Sequence, residues 1–131
     1  MPVPPLVLSV DDYEDDLLLV SLVVKDLGCA SLSASDGQTA LVLAQRHRPD
    51  LILLDIRLPE IDGLEVMRRL KRNRRTCNIP VIAVTAAASD DDRSRILAGG
   101  CVGYVVKPYP LEELESLILL HTSYQPHLAI G

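Results

Sequence analysis

Four places in the chain carry side chains able to do chemistry. Asp11-Asp12 follows the apolar run Leu6–Val10, Asp55 follows Leu51–Leu54, Thr85 follows Val81–Val84, and Lys107 follows Tyr104–Val106. Each polar group stands where an apolar run stops. A carboxylate there is costly to desolvate unless something charged pairs with it. Three carboxylates brought together repel one another, and a hard divalent cation relieves the repulsion. Mg²⁺, or Mn²⁺ in its place, accepts carboxylate, carbonyl and water oxygens in an octahedron. Lys107 adds a mobile positive charge and Thr85 a hydroxyl donor. An aspartate carboxylate is a competent nucleophile toward phosphorus. Phosphoryl transfer then asks mainly for in-line positioning and neutralisation of the equatorial oxygens. One strand-ending aspartate is an ordinary helix cap, and one lysine an ordinary surface charge. Five residues of these types at four strand ends are hard to explain in that way.

For these residues to meet, the elements carrying them must be neighbours. The apolar runs alternate with helical patterns. Leu17, Val20, Val24 and Leu27 give a helix over 13–27 closed by Gly28; Ser35 or Asp36 caps a helix to His47, stopped by Pro49. Asp62 with Glu65 is a capping signal for a helix to about Arg74. Ser89 or Asp90 starts a helix that ends at Gly99-Gly100, and Leu111, Leu114, Leu117 and Ile118 mark a last amphipathic helix. With a weaker strand over 29–34, the pattern is five βα units. Wholly apolar strands separated by helices imply a parallel sheet covered on both faces. The first, third and fourth strands are the most apolar and belong in the centre, and the polar second strand suits an edge. The order 2-1-3-4-5 satisfies both, a flavodoxin-like α/β fold whose ligands bind at the carboxyl ends of the strands.

Length and composition set the outer limits. A chain of 131 residues, 48% hydrophobic and 24% charged, is one ordinary domain with room for a core. With no Trp and no Phe, that core is aliphatic. The net charge of −5 argues against general nucleic-acid binding. Three scattered cysteines (Cys29, Cys77, Cys101) without metal spacing read as free thiols in a reducing compartment. No basic leader and no long apolar stretch appear, so the expectation is a cytoplasmic protein without membrane contact.

The motifs "VDDYEDD" (10–16), "LILLDIRLPEIDG" (51–63), "PVIAVTA" (80–86) and "GYVVKP" (103–108) give the chain its identity in outline. It resembles the receiver domains of two-component response regulators, from about Leu6 to Leu120. The resemblance implies that Asp55 accepts a phosphoryl group from a histidine kinase or a histidine phosphotransfer protein. It implies Mg²⁺ ligation by Asp12, Asp55 and the backbone carbonyl of Arg57, with Asp11 acting mostly through water. It places Thr85 and Lys107 on the phosphoryl group and makes the Lys107–Pro108 peptide cis. Tyr104 matches the family's aromatic switch position, partnered with Thr85. Pro59 and Gly63 match the turn after the phosphorylation site. Arg57 and Ala87 occupy positions that vary in the family and tune the lifetime of the phosphate. Asp15-Asp16 stands where many relatives have an asparagine, and no function is attached to it.

Other readings are weaker. A dehalogenase-like phosphatase with an aspartyl-phosphate intermediate wants a second acid two residues after its nucleophile, where Arg57 stands. A flavodoxin-type cofactor binder wants a small polar phosphate loop after the first strand, and "DDYEDD" repels a phosphate. The five intact residues argue against a degenerate receiver serving only as a binding module. "RRLKRNRR" (68–75), with six of the 13 basic residues, reads as the solvated end of the third helix. The expected organisation is a receiver over 1–121 and a C-terminal tail over 122–131 too short for an output domain. A stand-alone regulator, monomeric or weakly dimeric and signalling to an unidentified downstream protein, is favoured over a piece of a larger regulator or hybrid kinase.

Overall fold

The computed structural model describes residues 3–86 and 89–122. Ala87 and, except for Thr122, the expected tail over 122–131 lie outside the described residues. The elements follow in strict alternation: β1 (Leu6–Val10), α1 (Glu14–Asp26), β2 (Ala30–Ala34), α2 (Gly37–His47), β3 (Leu51–Asp55), α3 (Gly63–Arg72), β4 (Val81–Thr85), α4 (Asp90–Ala98), β5 (Gly103–Val106) and α5 (Leu111–Thr122). The strands form one parallel sheet in the order β2-β1-β3-β4-β5. The order expected from strand polarity holds, with the most polar strand at an edge.

Successive strand residues point to opposite faces, and the two faces have different tenants. Leu8 and Val10 of β1 with Ile52 and Leu54 of β3 pack on Ala40 and Ala44 of α2 and Val66, Met67 and Leu70 of α3. Val7, Leu51 and Leu53 pack on Val23 and Val24 of α1 and Leu114 and Ile118 of α5. Fully burying one such side chain stabilises by about 1.5–3 kcal/mol, so the aliphatic core suffices without large aromatics. All five residues of β3 and of β4 are buried, which is why those strands read as continuous apolar runs.

Local signals position the helices. Asp36, Asp62 and Ser89 each accept a hydrogen bond from the backbone N–H three residues on, capping α2, α3 and α4. Gly28 closes the turn after α1 with φ of 84°, a conformation that a Cβ disfavours. Helix α3 ends at Arg72, short of the expected Arg74, because the backbone of Asn73 is extended and its carbonyl accepts from the backbone N–H groups of Thr76 and Cys77. The basic run there is not simply a solvated helix end. Arg68 and Arg69 pair with Glu65. Lys71 turns inward and donates to the carbonyls of Ile79, at 2.8 Å, and Cys77, at 3.3 Å. Burial there pushes the Lys71 ammonium below its ordinary pKa. Among the described residues no helix is long and apolar enough to cross a membrane.

Candidate functional site

β1, β3, β4 and β5 are adjacent and parallel, so their carboxyl ends share one edge of the sheet. Asp55 is the last residue of β3 and Asp11 lies just past β1; both are buried, whereas Asp12 is exposed. One carboxylate oxygen from each of Asp11, Asp12 and Asp55 lies within 4.8 Å of the others. Hard oxygen donors from three carboxylates at this spacing match the preference of Mg²⁺ and offer nothing to a soft metal. The site residues therefore fit the ion that the sequence calls for.

Lys107 closes the site from β5. Its ammonium donates to Asp11 Oδ2 at 2.9 Å and to Asp55 Oδ2 at 3.1 Å. The Lys107 backbone N–H donates to the carbonyl of Thr85 at 2.7 Å, and the Lys107–Pro108 peptide is cis, as the resemblance implied. The other Asp55 oxygen, Oδ1, accepts from the backbone N–H of Arg57 at 2.9 Å. Asp11 Oδ1 likewise accepts from the backbone N–H of Tyr13 at 3.0 Å. Local backbone turns thus hold two of the three carboxylates in fixed rotamers.

Burial pushes the Asp55 carboxyl above its ordinary pKa, against the Arg57 N–H and Lys107, and the nearby Asp11 adds to the rise. For Lys107, burial works against the charge, but hydrogen bonds to Asp11 and Asp16 and the field of Asp55 outweigh it and raise the pKa. The two directions are compatible. Several acids surround one cation, so the cation is held firmly charged while the deepest acid is left incompletely compensated.

Thr85 ends β4, 1% exposed. With Asp12, Arg57, Pro59, Asp92 and Arg95 it lines a cleft of about 570 Å³ beside the carboxylates. Tyr104 stands one strand farther out, at a register position opposite Ala83. Its ring is half-buried and engaged by the Arg93 guanidinium of α4, 5.8 Å from the ring centroid. The turn after β3 is packed tightly: a Cβ on Gly63 would lie 2.4 Å from the Asp55 carbonyl oxygen and 2.5 Å from Ile56 Cα. Glycine is needed there so that α3 can start against the backbone of the acidic residue.

One participant was passed over in the sequence. Asp16, in the first turn of α1, accepts from the Lys107 ammonium at 3.1 Å through Oδ2. Its type was visible, but its distance from Lys107, 91 residues along the chain, was not. Only the packing of α1 against α5 and the β5–α5 turn brings them together.

Comparison with known proteins agrees with this geometry. Residues 7–119 match the family model described as the response regulator receiver domain. The polar-differentiation response regulator DivK of Brucella anthropi is 46% identical over 105 residues, covering 80% of this chain and 85% of that protein. Its counterpart in Brucella ovis is 45% identical over 102 residues, covering 78% and 83%. Among solved structures, the chemotaxis protein CheY4 of Vibrio cholerae superposes with a TM-score of 0.85 at 28% identity, covering 91% of this chain and 99% of that one. The receiver domain of a sensor histidine kinase from Pseudomonas aeruginosa, solved with a magnesium ion coordinated in its active site cleft, gives a TM-score of 0.85 at 30% identity, covering 93% and 100%. The chain belongs to the response regulator receiver domain family.

Proposed function

We propose that this protein is a Mg²⁺-dependent phosphoacceptor in two-component signalling, with Asp55 as the acceptor. The observation that carries the reading is the contact of the buried Asp55 with Lys107, beside Asp11 and Asp12. A carboxylate oxygen of Asp55 attacks the phosphorus of a phosphohistidine on a histidine kinase or phosphotransfer protein. The new P–O bond forms as the P–N bond breaks, and the imidazole leaves. Asp12, Asp55 and the Arg57 carbonyl would hold the ion, with Asp11 behind them; when bound, it supplies positive charge to the carboxylates and the phosphoryl oxygens. Lys107 redirects a donor from the carboxylate to the transferred group as charge moves onto it. Thr85 presents its hydroxyl from the next strand.

The domain catalyses only its own phosphorylation and dephosphorylation and acts as a signalling element over residues 1–121. The relatives named DivK and CheY4 support a cytoplasmic bacterial regulator that relays its state through protein contacts. Thr85, drawn toward the phosphoryl group, would vacate space that Tyr104 fills by turning inward from Arg93. The surface formed by α4, β5 and α5 changes with it.

Exposure to acetyl phosphate and Mg²⁺, followed by intact-mass measurement, tests the assignment. One phosphoryl group is expected on the wild type and none on Asp55→Asn. Equal labelling of both would move the acceptor elsewhere.

A further inference from the structure

An ammonium has three N–H donors. Those of Lys107 are matched by three carboxylate oxygens, from Asp11 at 2.9 Å, Asp55 at 3.1 Å and Asp16 at 3.1 Å. In this arrangement Lys107 has no donor left for an incoming phosphoryl oxygen. At least one of the three bonds must open before the lysine can engage the transferred group. The bond to Asp55 is the one the reaction itself weakens, because phosphorylation of the carboxylate removes its charge. Asp11 belongs to the acidic cluster of the proposed metal site. Asp16 lies outside that cluster, on α1, and more of its side chain is exposed than of the other two, at 40% against 11% and 8%.

We infer that Asp16 is a positioning residue that tethers Lys107 on the α1 side in the resting protein and so slows its engagement of a phosphoryl group on Asp55. The inference rests on the phosphoacceptor reading above and adds a device that sets the rate. The physical reason is competition. The α1 carboxylate holds the ammonium with a charge-assisted bond that must be given up as the phosphoryl group arrives. Burial cannot replace that bond, because Lys107 is still partly open to water, so its strength is that of a partly exposed ion pair. The Asp16 carboxylate has no other hydrogen bond or ion pair among the described residues, so releasing the lysine leaves it free to be solvated. Release is thus a small, graded cost.

The test compares the full chain with Asp16→Asn and Asp16→Ala. Both variants should take label at Asp55 from acetyl phosphate about fivefold faster than wild type, the rate equivalent of one such ion pair. In a Lys107→Gln background, read at longer exposure, the Asp16 substitutions should change nothing, because the tethered group is gone. An acceleration of equal size in that background would show that Asp16 acts by repelling the anionic donor, and would overturn the tether. A second readout needs no phosphate: the NMR resonance of the Lys107 side-chain ammonium should move in unlabelled Asp16→Asn. A resonance that stays in place would overturn the contact. If the wild type takes no label at Asp55, the acceptor reading itself falls and the tether with it. A labelled wild type with equally fast Asp16 variants defeats the tether alone.

Discussion

The Lys107 ammonium reaches Asp55 Oδ2 at 3.1 Å across 52 residues of sequence, bridging the ends of β5 and β3 with β4 lying between them. Two strand spacings amount to about 9.6 Å, a span that a lysine and an aspartate can close only by pointing at each other over the middle strand. The Asp55 pKa is raised, so its ionised form opposes folding. A carboxyl with a raised folded-state pKa destabilises the fold in full above that pKa, and the cost disappears as pH falls through it toward the ordinary value. At pH 7, Asp55→Asn should therefore unfold at higher urea concentration than wild type. Lys107→Met should lose about 2 kcal/mol, less than a fully buried pair because the lysine is partly wet. A lower urea midpoint for Asp55→Asn would contradict the charge balance described here.

Mg²⁺ should raise the melting temperature. A ligand that binds only the folded state stabilises it by roughly 2.7 kcal/mol at a hundredfold excess over its dissociation constant. The exposed Asp12 contributes one of the three clustered carboxylates and has the least protein support. Scanning calorimetry with millimolar Mg²⁺ should show a clear upward shift for wild type and a smaller one for Asp12→Ala. Identical shifts would put the ion somewhere else.

Gly63→Ala should be among the most damaging single changes. The added methyl meets the backbone of Asp55 and Ile56, which cannot turn aside as a flexible side chain would. Relief requires moving the β3–α3 turn, at a cost of about 3 kcal/mol or more. Chemical denaturation should show that loss, and labelling of Asp55 should fall even at temperatures where the variant is folded. Wild-type stability would mean that the turn adjusts freely.

The α2 cap supplies a pH-dependent prediction. The backbone N–H of Thr39, aided by its hydroxyl, holds the Asp36 carboxyl below its ordinary pKa. A lowered acid contributes stability that is complete above the unfolded-state pKa and is lost as pH falls through the folded-state value. Asp36→Ala should cost about 1 kcal/mol at pH 7. The gap should narrow once pH falls below the ordinary carboxylate range, where the unfolded chain takes up the proton first, and close as pH falls through the lowered folded-state value. Asp36→Asn keeps the acceptor without the charge, so its stability relative to Asp36→Ala should not depend on pH. A constant gap between wild type and Asp36→Ala down to pH 2 would remove the charge from the explanation.

The Tyr104 switch is checked by a pair of structures. With beryllofluoride standing in for the phosphoryl group at Asp55, the Tyr104 ring should leave the Arg93 guanidinium and turn inward. Thr85→Ala should still accept label while losing coupling to a partner that prefers the modified form. The same Tyr104 rotamer with and without beryllofluoride would reject the switch and leave the Asp55 chemistry untouched.

The sequence by itself determined most of the fold. Apolar runs as greasy as Leu51–Leu54 and Val81–Val84 can only be central parallel strands, and the polar Ala30–Ala34 can only be an edge. Once that order is set, Asp11, Asp55, Thr85 and Lys107 must share one edge, because each ends or directly follows its strand. Local signals were equally legible: Asp36, Asp62 and Ser89 sit at caps because their side chains reach N–H groups only three residues away. The choice of partner by long side chains limited the rest. Asp16 looked like any acid in a helix's first turn until tertiary packing set it against Lys107. Lys71 looked like part of a solvated basic run until the β4 approach gave it the carbonyls of Cys77 and Ile79. In both cases a long flexible cation chose its partners, from a remote helix for Lys107 and from the adjoining α3–β4 connection for Lys71. Periodicity and residue type carry no information about such a choice, and only the folded arrangement of charges and carbonyls makes it.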